Sequence, residues 1–429
     1  MHRKTKTEIS DIKAIQVLDS RGNPTIEAEL FTKGGYSGHA IVPSGASTGI
    51  HEALELRDRV ENVFNGKGVL QAVSNVNEII RPKLIGLNCA DQQEIDQTMI
   101  ELDGTQNKQR LGANAILSVS MAASRAASSA FNEPLYRYLK PREKYRLPIP
   151  MMNVINGGRH AGNKLSIQEF LIEPVGAESF SEAVRFGAET YHELKNVLSQ
   201  KYGSTAVNVG DEGGYAPPFE STRQALESIL SAITEAGYKD VVKLGLDPAA
   251  SSFYDDKDSK YFIDGEKLSS GQLEDYYANL LSSYPMIITL EDPFAEEDYP
   301  AFTNITKRFG KRVKIIGDDI YATNKTRIRK GIEMSATNAV LIKLNQIGTV
   351  SETIEAINMS EDARFDIVIS HRSGETEDVY ISHLASAFES SFIKTGAPAR
   401  GERTAKYNEL LRIEAKLGTS ALFDNQFLA

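Results

Sequence analysis

The sequence predicts an α/β protein in which a large β/α barrel follows a smaller α+β domain, and three observations carry that prediction. First, between residues 241 and 345, four short apolar segments, VVKLGLD, MIITLED, VKIIGDD and AVLIKLN, have strand length and a β-branched or Leu-rich content. They are closed or interrupted in turn by Asp247, Glu291, Asp318 and Lys343. Second, helix-length polar stretches separate the segments beyond Glu291, and the alternation continues through DIVISHRS and SFIKTG at intervals of roughly 25 residues, one strand plus one helix each. Third, at 429 residues the chain exceeds one ordinary domain. Its composition shifts near Pro141, Pro148 and Pro150, which sets a boundary between residues 1–142 and 143–429.

In chain order, DIKAIQVLDSRGNPTIEAELF reads as two antiparallel strands about a turn built from Asp19, Ser20, Gly22, Asn23 and Pro24. A third strand near residues 38–42 leads into the loop PSGASTG. Taken alone, that loop is either a plain linker or a lid whose backbone and hydroxyls reach an anion or a metal. It is not a P-loop, because no Lys follows its second glycine. Residues 51–131 carry a helical pattern, with Val69, Val73, Val76 and Ile80 on one face and Pro82 ending that run. The Ala- and Ser-rich LGANAILSVSMAASRAASSA suits a helix packed closely on its neighbours.

The second domain opens with loop-like NGGRHAGN, then IQEFLI, a strand holding Gln168 and Glu169. A helix follows from about Ser181 to Lys201. TAVNVGDEGG then reads as a short strand ending in Asp211 and Glu212, with glycines that admit close backbone approach. Strands centred near Met152, Ile167, Val207, Leu244, Ile288, Ile315, Leu341, Ile367 and Phe392 exceed the eight of a closed barrel by one. Either the first is a lead-in segment or one connection lacks a helix. The acidic SSFYDDKDSKYF interrupts the repeat as a solvated loop or small hairpin.

In a closed parallel barrel the carboxyl ends of all strands meet on one face, so the charges that end these segments converge. One acid at a strand end is ordinarily a loop residue or a helix cap. Several at the same phase of consecutive units need a reason, since crowding and desolvating like charges costs several kcal/mol in order of magnitude. A divalent cation removes the conflict. Oxygen ligands without Cys or a His pair at metal spacing favour magnesium over zinc.

The formal net charge of -10 argues against nucleic acid or an anionic membrane as partner. Cys89 is the single cysteine, which excludes an internal disulfide and suits a reducing cytosol. MHRKTKTEIS is basic without an apolar core after it, unlike a signal peptide. No stretch reaches the about 20 apolar residues of a membrane span. A soluble cytoplasmic protein is expected.

The motifs DSRGNPT, VPSGASTG, NVINGGRHAG with QEF, VGDEGG, GLD, LEDPF, GDD, LIKLNQIGT, SHRSGETED and IKTGAPARGERTAKYN run from Asp19 to a segment ending at Gly418. Together they resemble the enolase family. LIKLNQIGT and SHRSGETED are the specific signals; GDD or LEDPF alone would be weak. The resemblance implies an irregular eight-stranded, TIM-like barrel whose early part holds an antiparallel strand, and the reversible dehydration of 2-phosphoglycerate to phosphoenolpyruvate. It implies two magnesium ions, one on Asp247, Glu291 and Asp318, the second held with help from Ser47. Lys343 would accept the proton and Glu212 would donate one, with Glu169 beside it. His160, Gln168, Glu169, His371, Arg372, Ser373 and Lys394 would line the substrate pocket together with Glu291, Asp318 and Lys343. It further implies a homodimer or a ring of dimers, with a minor cell-surface or secreted fraction. Two departures stand out: Arg159 beside His160 bears on lid closure, and a carboxyl-terminal Ala weakens any plasminogen-type binding through a terminal lysine.

The chemistry sets requirements on these residues. Lys343 must be neutral to act as a base, and burial with nearby cations such as Lys394 would lower its pKa. A like charge at Glu169 would keep Glu212 protonated. Arg372 offers the planar fork that suits a phosphate. Asp292 and Asp319 are expected to orient Glu291 and Asp318 rather than bind metal. A related magnesium enzyme acting on a non-phosphorylated acid would share the three carboxylates but not need Arg372, Ser373 or Ser47. The other rival is a binding or structural role with the catalytic site vestigial, against which every chemical position is intact.

Overall fold

Asp19 begins the fold by turning the chain: its Oδ1 accepts the N–H groups of Arg21 at 2.8 Å and Asn23 at 2.9 Å. Strand β1 (Ile9–Leu18) thereby pairs antiparallel with β2 (Pro24–Thr32), and β2 with β3 (Ser37–Ile41). The computed structural model of the chain describes residues 6–45, 51–158 and 162–423. Helices α1 (Gln92–Asp103) and α2 (Ala113–Phe131) are the longest in the first domain. The small side chains of α2 let it lie hard against the sheet. A Cβ on Gly38 would stand 2.3 Å from the backbone N of Ala126.

Two details differ from the sequence reading. Residues 51–63 are not helical. The start of the stretch bonds to distant segments, Ala53 N–H to Gln346 O and Leu54 N–H to Asn107 O, and so is stitched between domains, while its end closes local turns such as Val63 N–H to Val60 O. The helical run also passes Pro82 and ends at Leu84. A π-helical stretch, Asn75–Ile80, precedes Pro82, which sits at the start of the last turn, where a missing N–H costs little.

The second domain is a closed eight-stranded barrel. Its strands are β4 (Ile149–Asn156), β5 (Glu169–Glu173), β6 (Lys243–Asp247), β7 (Ile287–Glu291), β8 (Lys314–Gly317), β9 (Ala339–Ile342), β10 (Asp366–Ser370) and β11 (Phe392–Lys394). Only β5 runs antiparallel to its neighbours, and an antiparallel pair needs no crossover helix. Helices α3 (Phe180–Tyr202) and α4 (Thr222–Glu235) both fall between β5 and β6. Val207 is therefore not in a barrel strand and is the surplus candidate. The first candidate, near Met152, is a true barrel strand, and the expected connection without a helix is the one from β4 to β5, as far as the described residues go. Ser204–Val207 forms a 3-10 turn, and Val209, exposed, makes an isolated bridge to Tyr215. The reversal of β5 brings its first residue, Glu169, opposite Asp247 at the mouth.

Apolar side chains, among them Ile149, Met151, Leu171, Ile316, Leu341 and Val368, fill the barrel interior. The acidic interruption folds into three short strands, Tyr254–Asp255, Lys260–Ile263 and Glu266–Leu268, with Tyr261 fully buried. No helix among the described residues is long and apolar enough to cross a membrane.

Candidate active site

Each charged residue that ends a barrel segment is carried to the mouth by its own strand: Asp247 by β6, Glu291 by β7, Asp318 by β8, Lys343 by β9, His371 and Arg372 by β10, and Lys394 by β11. Glu169 arrives from the start of β5 and Glu212 from the turn between α3 and α4.

The buried Lys394 ammonium stands among carboxylates. Its Nζ lies 2.8 Å from Asp247 Oδ2, 2.8 Å from Glu291 Oε2 and 3.3 Å from Glu169 Oε2. One cation cannot balance these acids. Burial and then the neighbouring acids push Glu169 and Glu291 well above the usual carboxylate range, although Lys394 opposes this. The same acids overcome burial and hold Lys394 firmly charged. A site with this surplus of buried oxygen anions, already wrapped about an ammonium, fits a hard divalent cation.

Asp318 is held differently. Lys343 Nζ donates to its Oδ2, and Gln346 Nε2 donates to its Oδ1 at 3.1 Å. The expected trio is thus split, two acids on Lys394 and the third on Lys343. Among the described residues, the carboxylate oxygens that gather within 4.8 Å of one another at the mouth belong to Asp292, Asp318 and Asp319. Asp292, however, already accepts the backbone N–H groups of Asp318 at 3.0 Å and Asp319 at 2.6 Å, so it shapes the turn. Burial and the Asp318 charge push Asp319 up to about 7.

The expectation that Lys343 would have a lowered pKa is contradicted. Burial, Arg372 and Lys394 do act in that direction, but the carboxylate of Asp318 outweighs them and raises it. Asp318 is correspondingly held below its usual range by Lys343, against burial. Sequence reasoning counted the cations near Lys343 and left out its counter-ion.

The remaining polar residues form two groups. Arg372 is clamped by Glu52, with Nη1 to Oε2 at 2.9 Å and Nη2 to Oε1 at 3.2 Å, and it also donates to Asn345 Oδ1 at 2.9 Å. Glu212 is hydrogen-bonded to Glu169 and receives Asn153 Nδ2 on Oε2 at 3.1 Å. Two carboxyls can bond each other only through a shared proton. Gln168 sits at the rim with its backbone N–H on Asp247 O at 3.0 Å, and Ser373 is buried beside Arg372. Ser47 and His160 lie outside the described residues, as does Arg159. Glu52, Asn153 and Arg403 were missed by the sequence reading; only the presence of Arg403 within the GERTAKYN motif drew attention to its neighbourhood.

Comparison with known proteins gives a consistent picture. The profile "Enolase, N-terminal domain" matches residues 9–139 and "Enolase, C-terminal TIM barrel domain" matches residues 144–428. The enolase of Methanocaldococcus jannaschii is 58% identical over 420 residues, covering 98% of both chains. The enolase of Methanothrix thermoacetophila is 55% identical over 97% of this chain and 98% of its own. That of Thermococcus gammatolerans is 54% identical over 97% and 96%.

Proposed function

The chain belongs to the enolase family, and on that premise we propose how its own residues divide the work of a phosphopyruvate hydratase, the lyase that reversibly dehydrates 2-phosphoglycerate to phosphoenolpyruvate in glycolysis and gluconeogenesis. The observation that carries the division is the meeting, at one barrel mouth, of Lys343 and Lys394 with a surplus of buried carboxylates and the paired acids Glu169 and Glu212.

Lys343 takes the proton from carbon two. To do so it must shed the Asp318 carboxylate that keeps it charged. Asp318, with Asp247 and Glu291, would hold magnesium, whose positive charge would stand in for that of Lys343 beside the carboxylate. A second magnesium would be held with help from Ser47. When bound, the ions supply positive charge to the substrate carboxylate as the adjacent carbon is deprotonated. Lys394, fixed in the charged state, adds to that charge. Arg372 and Ser373 receive the phosphate, with the guanidinium exchanging Glu52 for it. Glu212 protonates the departing hydroxyl using the proton it shares with Glu169. Gln168, His160 and His371 line the pocket around it.

We place the protein in the cytoplasm as a homodimer or a ring of dimers, with residues 1–142 and 143–429 as its two domains. Family membership and the single buried Cys89 support this reading. The reaction is tested by mixing purified protein with 2-phosphoglycerate and following the ultraviolet absorbance of the conjugated product. Absorbance should rise only with magnesium present. A flat trace with magnesium added would overturn the assignment.

A further inference from the structure

Arg403, at the start of helix α5 (Gly401–Leu417), is fully buried, and its terminal nitrogens spend every N–H on one loop system. Nη1 donates to Arg372 O at 2.8 Å and lies 2.6 Å from His371 Nδ1. Nη2 donates to Ser373 O at 2.7 Å and to Asp211 O at 3.0 Å. Its Nε faces Glu402 at 3.4 Å. The contact with His371 fixes a chemical state, because a guanidinium only donates. Nδ1 must therefore accept. Burial, against Glu212 and with Arg403 and Lys394, pushes His371 down to about 3, so the ring is neutral and carries one hydrogen. That hydrogen is on Nε2.

The other end of the ring meets the acid. His371 Nε2 lies 3.4 Å from Glu212 Oε2, the same oxygen that receives Asn153 Nδ2 at 3.1 Å. An oxygen facing two N–H donors is not where a carboxylic hydrogen can sit. We propose that Arg403 is a positioning residue for the protonation half of the reaction: by holding His371 in its Nε2–H tautomer, it fills Glu212 Oε2 and confines the transferable proton to Oε1. In the opposite tautomer, the bare Nε2 would draw the Glu212 proton into a bond with His371, away from the substrate hydroxyl.

The proposal rests on Glu212 being the proton donor, and its test separates the two ideas. Long-range proton–nitrogen spectra of the magnesium-loaded wild-type enzyme, labelled at its histidine nitrogens and with His371 assigned by its loss in His371→Asn, should show Nε2 protonated and Nδ1 bare at neutral pH. An Nδ1–H ring or an imidazolium there would overturn the proposal. Arg403→Met should lose dehydration by about a hundredfold while solvent exchange at carbon two stays within about twofold of wild type. Arg403→Lys, which keeps a donor, should restore the tautomer and much of the ratio. A change confined to KM, or equal loss of exchange and dehydration in a folded variant, would mean that Arg403 only braces the phosphate loop, and would overturn the proposal. If Arg403→Met does not fold, the wild-type spectrum and the ratio in Arg403→Lys decide alone. Should Glu212→Gln lose exchange and dehydration equally, the donor assignment fails even if the tautomer stands.

Discussion

At the scale of single residues the reaction should come apart into two halves. Lys343→Ala is expected to lower hydrogen exchange at carbon two by about a hundred- to ten-thousandfold, while calorimetry still detects magnesium binding. Unchanged exchange would remove Lys343 from the base role. Glu212→Gln should keep exchange and lose dehydration, because amide and carboxyl have the same shape but only the acid yields a proton. Much of this was legible beforehand: Asp247, Glu291, Asp318, Lys343 and Lys394 share one phase of a repeating unit, and that phase is a position at the mouth. The partners of these residues were not legible. Arg372 meets Glu52 across 320 positions of chain, a separation at which spacing says nothing about contact. The direction of the Lys343 shift was misread for the same reason, since it depends on where one oxygen of Asp318 points.

At the scale of elements, β5 is the informative strand. Burial is continuous along both β4 and β5, so neither shows the alternation that distinguishes an antiparallel strand, and its direction could not be read from residue types. Reversal puts Glu169 at the mouth and Glu173 at the far end of the same strand. Glu173 is fully buried, accepts the Thr289 hydroxyl on Oε1, and has no hydrogen-bond partner at Oε2 among the described residues. Burial, against the Thr289 bond, pushes it up to about 8. A carboxyl raised in the folded state contributes fully below its unfolded value of about 4.3, and that contribution is lost as pH rises toward about 8. Over that window the unfolded chain is ionised while the folded one still holds the proton. Wild-type stability should therefore fall relative to Glu173→Met by about 1.4 kcal/mol per pH unit. Urea midpoints at acid, neutral and alkaline pH would check this, and a difference that does not vary with pH would refute it.

At the scale of the whole molecule, length and composition indicated two domains and a net negative charge, yet not what joins the domains. Part of that join is one buried ion pair. Arg125 of α2 grips Asp378 with Nη1 to Oδ2 at 2.6 Å and Nη2 to Oδ1 at 2.7 Å. Asp378 also accepts the backbone N–H groups of Ile41 at 3.0 Å and Tyr380 at 2.8 Å, so strand β3 and the loop beyond Arg372 share one carboxylate. Burial alone would raise Asp378, but Arg125 and these N–H groups hold it below its usual range. The contribution of a depressed acid is present above its unfolded pKa and lost as pH falls through the folded one. Arg125→Ala leaves a buried charge without its counter-ion and should cost about 3–5 kcal/mol near neutrality. The cost should shrink on acidification, and adding Asp378→Asn should recover part of it. Denaturant midpoints at pH values from acid to neutral would measure both trends. A cost independent of pH would mean that lost packing against Tyr380, whose ring Arg125 covers at 5.3 Å, outweighs the charge pair in joining the domains.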